Sequence, residues 1–307
     1  MAGCFGWRPR VVRRHKLENA TAAGCGRKPE PRSQHGLALI AVLWLVAALS
    51  LVVTGVVKAS RKQIAVTAEG RQIVVADAAA RGAMTMVLQR LQTMVPPPAR
   101  MQVVTVNFAG MSIEVRLIPM NGFINLNKAP APLLAKLFRV AAGVSPDLAQ
   151  SLAQLIVDAR EAKDGKGVAV GIDAPEDLLQ LPGFDYELYA KIKSLVVAGS
   201  FGSGRVNANA APLEVLRVLA DGNASIAEQI DRSRMTQSDG VDLTRLSADD
   251  LDPSTINRYL LTARVPLADG RWLLSSRGVD ASVSLRSVLP WRILSSSRVV
   301  EQPAPSS

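Results

Sequence analysis

The chain has 307 residues, a formal net charge of +10, and only two cysteines and two histidines. Residues 1–36 hold all four of these, together with eight basic and two acidic side chains, which leaves 28 basic against 24 acidic residues in the rest. The body after Gly36 therefore excludes disulfides, thiol or imidazole catalytic pairs and the usual Cys/His zinc sites. Its small net charge gives little support for nucleic-acid binding.

The basic leader, residues 1–36, is rich in Arg, Pro and Gly and has no apolar period, which predicts disorder. It is followed by 21 residues without a charge, Leu37 to Val57. As a helix this run is long enough to cross a hydrocarbon core of ~30 Å, and the basic flank orients the body away from the cytoplasm. A secretory signal cleaved after Ala59 is the alternative. The length of the run and the helical pattern beyond it oppose that interpretation.

Apolar residues continue at helical spacing after the span, and Asp77 and Arg81 are spaced as an i,i+4 surface pair. Three prolines at 96–98 end the pattern. We predict one helix from about Leu37 to Met94, with a transmembrane part (37–57) and a second part (58–95) that buries one stripe. That stripe consists of Val66, Ile73, Ala76, Ala80, Met84, Leu88 and Leu91.

Two β-rich regions enclose a helical one. The first (96–123) predicts a hairpin with its turn at Ala109–Gly110, and the last (258–300) predicts closing strands before a disordered tail (301–307). This order of a long helix, β-rich residues, a helical region at 124–257 and further β-rich residues predicts the α+β class. The individual strands are predicted at Met101–Phe108, Met111–Ile118, Arg258–Val265, Trp272–Ser276, Ala281–Val288 and Trp291–Val299.

The insertion contains an internal repeat. The segment Ile124–Pro130 (INLNKAP) matches Val206–Pro212 (VNANAAP) at an offset of 82 residues. Each copy predicts a short extended segment that turns into a helix. In each, the second asparagine, Asn127 or Asn209, is the N-cap candidate and the proline lies in the first turn.

Four features together resemble the K-type minor pseudopilins of the type II (general) secretion pathway, over about residues 36–300. They are the Gly36–Leu37 junction that feeds directly into the span, the long helix, the paired N-x-N-x-A-P segments, and the run Leu181–Asp185 (LPGFD) followed by Leu188 and Tyr189. The resemblance implies a pilin-like sheet behind the N-terminal helix, with the helical domain inserted in it.

The resemblance also implies processing. A prepilin peptidase would cut between Gly36 and Leu37, Leu37 would be N-methylated, and the protein would stay in the bacterial inner membrane as a single-pass anchor with a periplasmic body. Most pilin-like proteins carry a glutamate at the fifth mature position, which here is Ala41. K-type members lack that glutamate. An unpaired carboxylate in a lipid-like setting is costly, and a subunit at a filament tip does not need its pairing.

The implied role is to cap the pseudopilus tip with the I- and J-type minor pseudopilins, to nucleate assembly on the inner-membrane platform and to touch secreted substrates. The chain departs from the family in its leader of 36 residues, which is longer than usual. No cofactor is expected. The family's calcium-associated acidic segment is shortened here to the candidates Asp158, Glu161 and Asp164, with Arg160, Lys163 and Lys166 competing for them.

Two other functional classes fit parts of the sequence. The I-N-L-N and L-P-G-F segments also resemble the helix-hairpin-helix modules of membrane-anchored competence DNA receptors. However, Asp185 takes the place of a second glycine, and only Lys191 and Lys193 compensate for it. An enzyme would need a Ser–Lys pair such as Ser194 with Lys193, or the carboxylates Asp249, Asp250 and Asp252. These residue types are equally common as surface and helix-cap residues, so no catalysis is expected.

Overall fold

The computed structural model describes residues 35–163, 165–236, 241–282 and 290–302. The chain divides into two units, residues 1–63 and 64–307. In the first unit, residues 35–63 are helical and belong to helix α1. The second unit holds the rest of α1, the sheet and the helical insertion.

The helices in chain order are α1 (His35–Leu91), α2 (Ala131–Leu137), α3 (Pro146–Glu161), α4 (Tyr186–Ile192), α5 (Leu213–Leu219) and α6 (Ala224–Thr236). The strands are β1 (Gln102–Phe108), β2 (Met111–Pro119), β3 (Ile124–Asn125), β4 (Val196–Val197), β5 (Arg258–Pro266), β6 (Trp272–Asp280) and β7 (Arg292–Glu301). Short 3-10 helices and one π-helical turn, Phe138–Ala142, connect them.

Five strands form one antiparallel sheet in the order β1-β2-β5-β6-β7, and the whole helical insertion lies between β2 and β5. The predicted α+β class is therefore confirmed. The predicted hairpin turn is confirmed as well, because Ala109 and Gly110 join β1 to β2 with positive φ angles of 51° and 76°. Both central residues at positive φ match the twist of a two-residue hairpin.

The second half of α1 packs on one face of this sheet. Small side chains at Ala76, Ala80 and Ala83 are fully or almost fully buried, which lets the helix backbone approach the strands closely. Val66 was predicted in the buried stripe, but its side chain is 69% exposed. The prediction is wrong there because the packed part of the helix begins one turn or more later, with Ile73.

Polar contacts also join α1 to the sheet. Asp77 forms the predicted pair with Arg81 at 3.6 Å and in addition accepts a hydrogen bond from Ser275 Oγ at 3.0 Å. Glu69 forms an ion pair with Arg271, which follows the turn between β5 and β6. The helix is thus positioned on the sheet by its apolar stripe and by carboxylates at its margins.

The closing strands differ from prediction in one element. β6 extends through Asp280, beyond its predicted end at Ser276. Most of the strand predicted at Ala281–Val288 lies outside the described residues, because 283–289 are not described. The extension occurs because Val279 is buried against the helix side of the sheet and pairs with Ile293.

The helical insertion has a core of its own, built from leucines and alanines of α2, α3, α5 and α6. A smaller cluster joins it to the sheet. In this cluster Met120 and Phe123, which follow β2, pack with Ile118 and Val197. Arg258 of β5 reinforces the joint by lying 4.9 Å from the ring centroid of Phe201.

Candidate functional site

The apolar run lies on the N-terminal part of α1. Gly36 and Leu37 fall in the first turn of the helix. In the described part of the chain, one helical segment, Leu39–Val56, has the length and composition to cross a membrane, and all of its side chains are exposed. Ala41 presents only a methyl group on this exposed surface. The cleavage and methylation predicted at Gly36–Leu37 remain predictions.

The two N-x-N-x-A-P segments adopt the same local structure. In each copy the first asparagine accepts a backbone hydrogen bond from the second: Asn125 Oδ1 from Asn127 N–H at 3.0 Å, and Asn207 Oδ1 from Asn209 N–H at 3.1 Å. The short helices α2 and α5 then begin one residue after the prolines Pro130 and Pro212.

The predicted N-cap role of Asn127 and Asn209 is therefore wrong. Both residues lie three positions before the residue that precedes the helix, and the N-cap positions are occupied by the prolines. The first asparagine instead closes an Asx turn, which its short side chain favours. Its amide also binds distant carbonyls: Asn125 Nδ2 donates to Gly199 and Phe201, and Asn207 Nδ2 donates to Ala99 at 2.7 Å.

A buried or half-buried arginine holds each segment from the following helix. Arg160 of α3 donates to the carbonyls of Leu126 and Ala129 at 3.0 and 2.7 Å. Arg234 of α6 donates to the carbonyls of Ala208 and Ala211, which are the equivalent positions of the second copy. Each module of the repeat is thus an extended segment, a seven-residue helix and a second helix that returns an arginine to the segment.

The two modules also contact each other through equivalent glycines. A Cβ built on Gly122 would lie 2.6 Å from the carbonyl carbon and oxygen of Ala210, and one built on Gly204 would lie 2.1 Å from the carbonyl oxygen of Lys128. Gly122 and Gly204 are 82 residues apart, as are Lys128 and Ala210. The contact is therefore reciprocal, and we call it the glycine joint.

The sequence patterns found only part of this arrangement. The glycines lie two residues upstream of the matched segments at the same offset, so extending the repeat would have found them. The arginines have no such signal. They are 74 residues apart, because the connection from α5 to α6 is four residues shorter than that from α2 to α3 and Arg234 lies four residues earlier in its helix than Arg160 does.

The run Leu181–Asp185 forms a packed turn. Gly183 has a φ of +87°, and Phe184 is buried with its ring 5.6 Å from that of Phe138 in an edge-to-face contact. The Asp185 carboxylate caps α4 by accepting the N–H of Leu188 at 2.7 Å. One backbone donor in the first turn of α4, the N–H of Leu188, is therefore bound to a carboxylate and not free for a phosphate.

The two lysines expected to compensate for the charge of Asp185 lie on α4 and at its end. Lys191 pairs with Glu187 at 2.9 Å, and Lys193 ends α4 at an exposed position. Nearby, burial and a hydrogen bond to Glu176 raise the pKa of Tyr189 to about 12, so this phenol stays neutral.

The calcium candidates lie at the end of α3. Asp158 accepts a hydrogen bond from Gln154 Nε2 at 2.8 Å, Glu161 is exposed, and Asp164 lies outside the described residues. Among the residues that are described, no group of three or more carboxylate, His or Cys side chains is close enough to hold a metal. Calcium binding at Asp158, Glu161 and Asp164 as a set stays a prediction.

Two of the three carboxylates that are candidates for catalysis, Asp250 and Asp252, make structural contacts. Asp250 is buried and binds Lys136 Nζ at 2.6 Å. Asp252 accepts hydrogen bonds from Ser203 Oγ and from the Ser254 N–H, and these bonds hold the pKa of its carboxyl below the ordinary value. A carboxylate stabilised in its ionised form by such donors is a poor general acid.

Comparison of the sequence with protein-family models and with curated proteins finds no match. Among solved structures, a chain of the crystal structure of the GspK-GspI-GspJ complex from the type 2 secretion system of enterotoxigenic Escherichia coli is similar to this chain. The two share 16% sequence identity, the match covers 77% of this chain and 99% of that chain, and the TM-score is 0.46.

Proposed function

We propose that this protein is a minor pseudopilin of the K type that acts at the tip of a type II secretion pseudopilus. A single observation carries the proposal. An uncharged span starts directly after a glycine that ends a basic leader, and the helix that contains it continues into the residues packed on an antiparallel sheet. A secretory signal cut after Ala59 would end within that helix, whereas a pilin-type cut at Gly36–Leu37 would leave all of it intact.

The proposed steps of maturation and assembly follow from this observation. Prepilin peptidase removes residues 1–36 and the new N-terminus is methylated. The helix holds the body on the periplasmic side of the inner membrane until the assembly platform moves it into a filament. Ala41 supports the K type because it carries no carboxylate for a neighbouring N-terminus. The proposed partners are the I- and J-type minor pseudopilins, and contact with secreted substrates belongs to the same proposal.

The competence-receptor alternative has weaker support. Its hairpin would need free backbone N–H groups near Gly183, yet the Asp185 carboxylate already accepts the N–H of Leu188 in α4. We therefore favour a role in filament assembly over DNA binding, and this role needs no catalytic group.

Maturation tests the proposal at the Gly36–Leu37 junction. When the chain is co-expressed with a prepilin peptidase, N-terminal sequencing should read from Leu37, and Gly36→Ala should abolish the cut. Gly55→Ala is the matched control, because nothing lies within 4 Å of a Cβ at Gly55. An N-terminus at Ser60 in the unaltered chain would contradict the proposal.

Association tests the role at the tip. The full chain is co-expressed with I- and J-type minor pseudopilins, and the membranes are then extracted with detergent. The three proteins should purify as one complex. Failure to associate, together with sub-micromolar retention on duplex DNA at ~150 mM salt, would favour the competence receptor instead.

A further inference from the structure

The last strand of the sheet, β7, has an open edge. It pairs with β6 on one side, and no strand of the described chain pairs with its other side. Every residue of β7 except Val300 is exposed. Edge strands usually carry prolines, charges or bulges that block further pairing. In β7 the register shift opposite Gly278 and Val279 lies near the start, and the middle of the strand, Ser295–Ser297, holds neither a proline nor a charge. A further extended segment can therefore pair with this edge.

Beside this edge, the carboxylate of Asp77 on α1 is shared by two arginines. It accepts a hydrogen bond from Ser275 Oγ at 3.0 Å. It also lies 3.6 Å from Arg81 Nε and 3.9 Å from Arg298 Nη1. Both ion pairs are longer than a hydrogen bond, and both arginine side chains are about half exposed. Each arginine can therefore bind a second carboxylate that approaches from solvent.

Arg277 of β6 adds a third guanidinium group to this face of the sheet. It follows Ser275 by two residues and pairs with Leu261, which is buried against α1, so its side chain lies on the α1 side. In the described part of the chain, its Nε is buried without a hydrogen-bond partner and the side chain forms no ion pair. A buried polar group without a partner is costly and rare in native structures. A ligand that accepts hydrogen bonds would remove this cost.

The other acidic side chains of α1, β6 and β7 do not offset these charges. Glu69 and Asp280 each have an arginine partner of their own, and Glu301 lies on the opposite face, where it pairs with Trp272 across the strands. The α1 side of the sheet therefore holds, next to the open edge, one carboxylate against three guanidinium groups, those of Arg81, Arg277 and Arg298.

We propose that the open edge of β7 binds an acidic, extended segment of a partner protein, which adds a sixth strand to the sheet and places its carboxylates on the α1 side. Pairing with β7 satisfies the outer backbone groups of this strand, and alternate side chains of the segment supply specificity. Arg277 and Arg298 are the groups that bind its carboxylates. Neighbouring strands are about 4.8 Å apart, so the added strand lies about 10 Å from β6. An arginine and a glutamate side chain together span that distance across the small Ser296, which pairs with Arg277.

The test uses the full chain in neutral detergent micelles and a fluorescein-labelled peptide of four Val-Glu repeats that carries one photo-reactive diazirine. In a strand, this alternation places all the carboxylates on one face. Binding is followed by fluorescence anisotropy, and crosslinked residues are identified by mass spectrometry. Crosslinks should fall on residues 292–301, separately from any in the basic leader. A peptide with Gln in place of each Glu should bind at least about tenfold more weakly, since it keeps the backbone and loses the charges.

A second peptide separates strand addition from adsorption by charge. The Val-Glu peptide with every backbone nitrogen methylated keeps its carboxylates and loses the N–H donors that a strand needs. It should bind at least about tenfold more weakly than the unmethylated peptide. Equal binding of the two would overturn the proposed strand addition.

Two adjacent positions of β7 test the face that the carboxylates occupy. Ser296 and Ser297 are both exposed and lie on opposite faces of the sheet, Ser296 on the α1 side beside Arg277. Ser296→Glu should weaken the Val-Glu peptide by at least about tenfold, because the new carboxylate competes for the arginines, and Ser297→Glu by less than about threefold. Equal weakening by the two variants would contradict the proposal.

Arg277→Met tests the arginine itself, because it removes the charge and keeps most of the side-chain volume. It should weaken the peptide by at least about tenfold without lowering the midpoint of thermal unfolding, since the guanidinium group has no internal partner to lose. Arg116→Met, at an exposed position on the other face of the same sheet, is the control and should stay within about twofold. A lowered midpoint for Arg277→Met, crosslinks confined to residues 1–36, or displacement of the peptide by an equal concentration of a 12-base-pair DNA duplex would each overturn the proposal. These outcomes do not depend on whether the chain is processed at Gly36.

Discussion

At the scale of single residues, Asp280 shows how a buried charge is accommodated where the closing strands meet the helical insertion. The side chain lies at the end of β6 and accepts hydrogen bonds from the Ser282 N–H and from Arg258 Nε, both at 3.0 Å. Burial alone would raise the pKa of its carboxyl. The hydrogen bonds from Ser282 and the neighbouring Arg258 guanidinium outweigh burial and hold that pKa below the ordinary value.

The depressed pKa gives a prediction for pH dependence. A carboxyl whose pKa is lower in the folded state contributes stability above its unfolded value of about 3.9, and that contribution is lost as pH falls through the folded value. Asp280→Asn should lower the free energy of unfolding at pH 7 by about 1–2 kcal/mol. The difference from the unaltered chain should shrink between about pH 5 and pH 2.

Denaturant unfolding of the full chain in micelles, followed by tryptophan fluorescence at several pH values, measures this difference. Asp249→Asn, at an exposed position, is the control and should stay within about 0.5 kcal/mol of the unaltered chain. A penalty for Asp280→Asn that is the same at pH 7 and pH 2 would show that the charge is not its cause.

At the scale of elements, α3 and α6, the second helices of the two modules, make equivalent contacts. Each places one arginine on two carbonyls of the segment that begins its module. The Arg234 side chain is only 3% exposed, so its loss would leave those carbonyls without a donor in the interior. Each arginine therefore links its N-x-N-x-A-P segment to the second helix of the module.

Replacing these arginines should release one segment at a time. Arg234→Met should cost about 2–3 kcal/mol and speed hydrogen exchange at the Ala210 and Ala211 amides, while leaving Lys128 and Ala129 protected. Arg160→Met should do the reverse. Arg232→Met, an exposed position on the same helix as Arg234, should change neither pair of amides. Uniform loss of protection in all three variants would argue against segment-specific clamps.

At the scale of the whole molecule, the glycine joint makes the two modules one folding unit. Gly122 touches the backbone of the second segment and Gly204 that of the first, so neither module completes its packing without the other. Phe123, the residue after Gly122, packs with Ile118 at the end of β2, and this contact couples the insertion to the strands. Local structure in the helical insertion therefore depends on contacts between its two modules.

This coupling can be measured with a double-mutant cycle. Gly122→Ala and Gly204→Ala should each cost about 2–4 kcal/mol, because the added Cβ meets backbone atoms that cannot move aside. The double variant should cost less than their sum, because a joint already opened by one substitution loses little to the second. Gly202→Ala, at a φ of +71° with open space around it, isolates the conformational cost at about 1 kcal/mol. Additivity within about 0.5 kcal/mol would mean that the two contacts are independent.

Much of the fold was predictable because it is encoded in local patterns. Charge-free length gave the candidate span, and the positions of Ala109 and Gly110 between two β-rich runs gave the hairpin. The repeat was visible at its 82-residue offset, and its two short helices begin and end at that same offset. Val66 and the asparagine caps were mispredicted because periodicity and residue preference do not reveal which helix turns or donors meet a partner.

The sequence by itself determined the apolar run after Gly36, the absence of His and Cys from the body, the order of helical and β-rich regions and the duplication. Only the tertiary structure decided which strands are neighbours, which carbonyls Arg160 and Arg234 bind, and which backbone atoms Gly122 and Gly204 meet. Those properties are contacts between residues tens to more than a hundred positions apart, such as Asn207 with Ala99. Their partners are chosen by the shape and burial of the assembled core, because backbone carbonyls are alike at every position in the chain.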